Sequence, residues 1–149
     1  MKEVEKRDKN VQLIIAGKGD DEKEIKALAR KLKLKNVKFI GYVADDELVK
    51  VYNSCDAFIS ASPNEPFGIT FLEAMACGKP VIAINNAGPK EIVTKKTGFL
   101  VERENLVETI LRLRDFDLEE MGRKARERVM KYFTWDIVAE RLIKIYNKL

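Results

Sequence analysis

Short apolar runs alternate along this chain with stretches in which apolar residues recur every three or four positions. The runs are Val11–Gly17, Val37–Val43, Ala57–Ser62, Pro80–Asn85 and Gly98–Val101. Several are apolar at nearly every position, as strands buried on both faces should be; a strand with one wet face alternates instead. Between them Ile25, Leu28, Ala29 and Leu32 follow helical spacing, as do Leu48, Val49 and Tyr52. This alternation predicts an α/β fold, a parallel sheet of five strands with helices on both faces.

Beyond the last run the pattern is helical only. Leu106, Ile110 and Leu113 mark one helix, and Asp117 with Glu120 makes a capping arrangement for the next. Thr134 is placed to cap the last helix, whose apolar stripe is Ile137, Val138, Leu142, Ile145 and Tyr146. These C-terminal helices are expected to pack on the sheet. No repeat, low-complexity stretch or linker interrupts the pattern, so residues 1–149 read as one domain.

Composition narrows the function classes. The 149 residues are 46% hydrophobic, and no apolar run reaches the roughly 18 residues that cross a bilayer. The charged start, Met1 to Arg7, has no signal-peptide core, and a cytoplasmic protein is expected. Lys and Arg number 28 against 24 acidic residues, a net charge of +4, and the charges are interspersed along helices. Solvated helix faces explain that pattern better than a nucleic-acid surface, while peripheral contact with anionic lipid stays open. Heavy Lys and Glu use, with one Gln and no His, resembles thermophile composition. Without His, and with Cys55 and Cys77 at no metal-ligand spacing, no zinc site is expected; buried reduced thiols are.

In an open parallel sheet, ligands bind beyond the carboxyl ends of the strands. Gly17-Lys18-Gly19-Asp20-Asp21 begins like a dinucleotide fingerprint, but Glu22 stands where the third glycine would fall and the acidic loop repels a pyrophosphate. A tight turn is the expected role, which weakens an NAD-dependent or flavodoxin-like redox reading. In Gly41-Tyr42-Val43-Ala44-Asp45, Asp45 suits an N-cap and Gly41 allows close backbone approach by a flat base.

The strongest signal follows the third strand. After Pro63-Asn64-Glu65-Pro66, the segment Phe67-Gly68-Ile69-Thr70 opens a helix that is apolar almost all round, and so is expected to be buried. Free N–H groups and the helix dipole make its start an anion site, to which Thr70 can add a hydroxyl. Glu73 sits one turn in, where a carboxylate is costly without partners. It either pairs with Lys79 or Lys90, caps local backbone, or accepts hydrogen bonds from ligand hydroxyls beside the anion. Glu65 lies on the loop before the helix, so the two carboxylates can frame one pocket. Gly78 ends the helix as a left-handed C′ residue. Asn85 and Asn86, in the fourth loop, read as turn formers.

Glu65 and Glu73 form an E-x7-E motif, and EPFGITFLEAMACGKPVIA resembles the signature of the GT-B glycosyltransferases of family 4. The resemblance extends through IIAGKGD, VKFIGYV, CDAFISAS and AGPKEIV to the final helix. It implies the C-terminal, Rossmann-like, donor-binding half of a retaining enzyme that uses a UDP-, GDP- or ADP-linked sugar, with no other cofactor and no metal. By position, it implies that Glu73 binds the ribose hydroxyls and that Glu65 is catalytic, contacting the transferred sugar. The amides of Phe67, Gly68, Ile69 and Thr70 would hold the diphosphate or sugar. Backbone at Tyr42 and Val43 would meet the base, and Gly17 and Gly19 would line the cleft.

The chain departs from that family in two respects. Members carry an upstream acceptor-binding domain, and their donor half opens with a strand and loop bearing an Arg and a Lys that clamp the diphosphate. Arg7 and Lys9 do not match that motif; the residues before the first run read as the tail of a helix. Removing that opening strand is expected to close the sheet in the order 2-1-3-4-5, or else to leave a gap for a strand from another segment or subunit. The chain alone is therefore expected to be incomplete for catalysis, with an acceptor-binding domain or subunit as partner. The rival reading is a sugar-nucleotide-binding subunit or remnant that performs no transfer.

Overall fold

The computed structural model describes residues 1–148. Its strands are β1 (Leu13–Ala16), β2 (Val37–Gly41), β3 (Phe58–Ser60), β4 (Val81–Ile84) and β5 (Gly98–Val101), each inside a run that the apolar pattern marks. The helices are α1 (Lys2–Arg7), α2 (Glu22–Lys31), α3 (Asp45–Asn53), α4 (Ile69–Ala76), α5 (Ala87–Ile92), α6 (Leu106–Leu111), α7 (Leu118–Tyr132) and α8 (Trp135–Tyr146). All strand pairs are parallel, and each pair is joined through a helix, as parallel neighbours require.

The core is unevenly distributed. In β4, Val81, Ile82 and Ala83 are buried, as befits the middle strand of a sheet covered on both faces. Phe71, Ala74 and Met75 of α4, Ile92 of α5, and Ala125 and Val129 of α7 complete one cluster with it. By contrast α2 and α3 have no buried residue, and Leu28 and Val49 are more than half exposed. The helical spacing is right, but helices do not bury both faces of the β1–β2 pair.

The sheet is not the continuous five-stranded one in the order 2-1-3-4-5. β1 pairs with β2 alone, and β3–β4–β5 form a separate sheet; β1 and β3 share no ladder. The β1–β2 pair is fixed instead through α1. Val4 is fully buried, and Glu5 accepts hydrogen bonds from the N–H of Lys35 (3.1 Å) and Asn36 (2.7 Å) at the entry to β2. At the end of this helix Arg7 pairs with Glu108 of α6, and Asp8, its C-cap, pairs with Arg114 beyond α6. Contacts with α6, the helix after β5, thus anchor the pair in place of hydrogen bonds to β3.

Helix ends match their sequence signals in part. The Asp117 carboxylate accepts the Glu120 N–H at 2.9 Å, and the Thr134 hydroxyl accepts that of Ile137 at 3.5 Å. Gly78 follows α4 with φ +70°, the expected C′ conformation. Asp45, by contrast, is the first helical residue of α3 and not its N-cap; Ala44 occupies that position. There the charge of Asp45 still favours the helix start. In α8, Ile137 and Val138 are half-buried, but Leu142, Ile145 and Tyr146 are exposed, so most of the stripe packs on nothing.

Candidate functional site

α4 carries the centre of the site. Its apolar face fixes it: Phe71, Ala74 and Met75 pack under β4. Gly68, the N-cap, takes φ +99°, and a Cβ there would lie 2.3 Å from the Phe71 ring. Glycine therefore lets the chain turn tightly into the helix over a buried aromatic. No side chain caps α4, so its first N–H groups keep no partner within the helix. Ile69 and Thr70 are exposed in that first turn, and Phe67 before it is largely exposed.

The two glutamates differ in their surroundings. Glu65 is half-buried, and its Oε1 accepts the Phe67 N–H at 3.4 Å, which ties the loop to the helix start. Glu73 is also half-buried, about 6 Å along the axis from Ile69 at 1.5 Å rise per residue. It pairs with neither Lys79 nor Lys90; Lys79 donates instead to the Asn53 carbonyl at 3.2 Å. The partner of Glu73 is Tyr52 of α3, whose hydroxyl donates to Oε2 at 2.9 Å. Burial, and then Glu73 itself, push the Tyr52 phenol far above its ordinary value of 10.0, so it remains a donor.

The Glu65 loop rests on α5. A Cβ at Gly88 would meet the Glu65 carbonyl oxygen at 2.4 Å and the Phe67 nitrogen at 2.8 Å. Only glycine permits this backbone-on-backbone seat. Asn86, expected as a turn former, is the N-cap of α5, and its Nδ2 donates to the Ser62 carbonyl at 3.1 Å. It thereby ties the far end of the same loop. Gly88 and Asn86 are thus supports that motif reading missed.

The remaining expected residues lie elsewhere. Gly17 and Gly19 line a cavity of about 290 Å3 beyond β1, together with Lys18, Asp20, Asp21 and Gly41. Its acidic rim includes Glu22, whose carboxyl Lys26 holds below the ordinary value. Tyr42 is 67% exposed and Val43 half-buried; both follow Gly41 without lining the cavity. Residues 65–73 thus lie at the start of α4, and Gly17, Gly19 and Gly41 at the carboxyl ends of β1 and β2. Cys55 and Cys77 are free and half-buried rather than fully buried. Burial raises the Cys77 thiol above its usual value. Among the described residues no group of three or more His, Cys, Asp or Glu could hold a metal ion. Nor is any described helix long and apolar enough to cross a membrane.

Parallel strands joined through helices, with helix starts at the strands' carboxyl ends, define the class: an α/β protein with a Rossmann-like fold. Within it, this chain belongs to the family of glycosyl transferases group 1, whose sequence profile matches residues 1–132. It is 36% identical over 127 residues to a "Probable sucrose-phosphate synthase" of Thermosipho melanesiensis, covering 81% of this chain and 30% of that protein. A GDP-mannose-dependent monoacylated alpha-(1-6)-phosphatidylinositol monomannoside mannosyltransferase of Corynebacterium glutamicum is 34% identical over 148 residues, 91% of this chain and 39% of its own. Among solved structures, an S. aureus TarM mutant in complex with fondaparinux, alpha-GlcNAc-glycerol and UDP superposes with a TM-score of 0.87 at 28% identity, over 98% of this chain and 31% of TarM. Anabaena HepE in complex with UDP-glucose gives 0.84 at 26% identity, over 99% of this chain and 44% of HepE. The chain thus spans between 30% and 44% of the length of each of these relatives.

Proposed function

We propose that this chain is the donor-binding half of a retaining glycosyltransferase, holding a nucleotide sugar at the start of α4. The observation that carries the reading is Glu73. It is a half-buried carboxylate on an apolar helix, in no ion pair among the described residues, one turn from unpaired N–H groups. That pairing suits a ligand with hydroxyls next to an anion, as a nucleoside diphosphate has. TarM and HepE in complex with UDP or UDP-glucose support the ligand class, and the GDP-mannose-dependent relative widens it to a second base; an ADP-linked donor belongs to the reading as the third candidate.

In this reading Glu73 accepts the ribose hydroxyls, and the amides of Gly68, Ile69 and Thr70 hold the diphosphate, joined by that of Phe67 when the ligand replaces Glu65 as its acceptor. Glu65 contacts the transferred sugar. Backbone near Tyr42 and Val43 meets the base, and Gly17 and Gly19 line the cleft. The acceptor hydroxyl attacks the anomeric carbon from the side that the leaving group departs. The new C–O bond forms as the bond to the diphosphate breaks, and the hydroxyl proton passes to a diphosphate oxygen. Oriented amides act on the charge that develops there. No metal or further cofactor enters this scheme.

Full neutralisation of that charge needs cations as well, and Arg7 is engaged with Glu108 on α6. The missing charge and the acceptor site are assigned to a second domain or subunit. The engaged Arg7 also favours the rival reading, a binding module without transfer.

Titration of UDP, GDP, ADP and their sugars against the protein, followed by thermal shift, tests the proposal. One nucleoside diphosphate should raise Tm by several degrees, and Glu73→Ala should remove most of that gain. A flat response to every nucleotide would overturn the reading. Sugar release or transfer by the bound protein separates the enzyme from the binding module.

A further inference from the structure

We infer that Tyr52 is a positioning residue that sets the Glu73 carboxylate for recognition of a ribose, and so for the choice of ribonucleotide over deoxyribonucleotide. The inference rests on the proposed nucleotide-sugar reading. Its basis is the hydrogen bond from the Tyr52 hydroxyl to Glu73 Oε2 at 2.9 Å. No other side chain among the described residues bonds that carboxylate, and no salt bridge holds it. A glutamate has three rotatable bonds, and an unheld one loses that freedom only when a ligand binds. With Oε2 fixed by the phenol, the orientation of the whole carboxylate is set. Oε1 and the second lone pair of Oε2 remain for two neighbouring hydroxyls.

Tyr52 is itself held rigidly. Its ring packs edge-to-face on Phe58 of β3 at 5.8 Å, and Phe58 packs likewise on Phe71 of α4 at 5.9 Å. Two further aromatic rings thus brace the phenol, from the strand and the helix that flank the site. Tyr52 also lies near the end of α3, the helix that follows Tyr42 and Val43. The hydrogen bond therefore links the element behind the base-side loop to the carboxylate. Two parts of the chain without a common β-ladder meet at this contact. A purely packing role would not require the phenol oxygen, since phenylalanine has the same ring.

The test compares Kd for UDP, GDP and ADP with that for their 2′-deoxy forms, in the wild type, Tyr52→Phe, Glu73→Gln and the double variant. The wild type should prefer the ribose form about tenfold or more, as expected for a hydrogen bond to a charged group. Tyr52→Phe should reduce that preference by roughly threefold to tenfold, and should add nothing in the Glu73→Gln background. Absorbance at the phenolate band supplies a reading free of ligand and of the Phe variant's folding. In the wild type one of the four tyrosines should resist ionisation, and Glu73→Gln should bring its titration down. Ribose preference unchanged in Tyr52→Phe would overturn the inference while leaving the nucleotide reading intact. If the wild type binds no nucleotide, both are overturned. Should Tyr52→Phe not fold, an unchanged phenol titration in Glu73→Gln overturns it instead.

Discussion

Gly88 shows how narrow the tolerance is at single positions. A methyl group there meets the Glu65 carbonyl oxygen at 2.4 Å, backbone that cannot swing aside as a side-chain end would. Gly88→Ala should cost about 1–3 kcal/mol in urea unfolding, the usual range for overpacking. It should also abolish nucleotide-induced stabilisation, because the displaced loop carries Glu65 and Phe67. Part of this region was legible in the sequence: the apolar run after Gly68 marked a buried helix, and Glu73 was conspicuous as a lone acid on it, whereas the turn of Gly68 over the Phe71 ring was not. Nor was Tyr52. It is 21 residues from Glu73 in sequence, and on α3 it reads as one more member of an apolar stripe; only the packing of α3 against α4 makes it a donor.

Elements were legible where their signals are local. Asp117 and Thr134 cap α7 and α8 because each cap bonds an N–H three residues on. Asp117→Ala should therefore lower stability by about 1 kcal/mol, measured by denaturant unfolding. What covers an element is a non-local matter, and there the pattern misleads. The stripe of α8 has helical period, yet Leu142 and Ile145 face solvent. Leu142→Asp should change stability by no more than about 0.5 kcal/mol, as for other surface sites. Ile92→Ala in the core cluster should cost about 2–5 kcal/mol. The strand runs were likewise placed well, but a run of apolar residues carries no label for its neighbour, so the break between β1 and β3 was not decided by it.

Across the whole molecule, surface charge and one half-buried phenol bound the pH range. Hydrogen bonds from Lys6, Lys26, Arg7 and Lys124 hold the carboxyls of Glu3, Glu22, Glu108 and Glu120 below their ordinary value of 4.5. Their folded values are depressed, so the stability they contribute is present above 4.5 and lost as pH falls through the folded values. Tyr52 is the opposite case. Its folded value is raised, so its contribution is complete below 10.0 and lost as pH climbs above that. Tm should thus drop on both sides, and salt should blunt the acid limb, whose pairs are exposed, more than the alkaline one. The uneven core has a consequence for motion. Amides of β4 should exchange with deuterium only when the whole protein unfolds, whereas those of β1 and β2 should exchange through cheaper local openings. A ligand gripped by loops from both parts would act as a clasp between two cooperative units. It should slow exchange in β1 and β2 far more than in β4, and part of its binding energy would be spent quieting the looser unit.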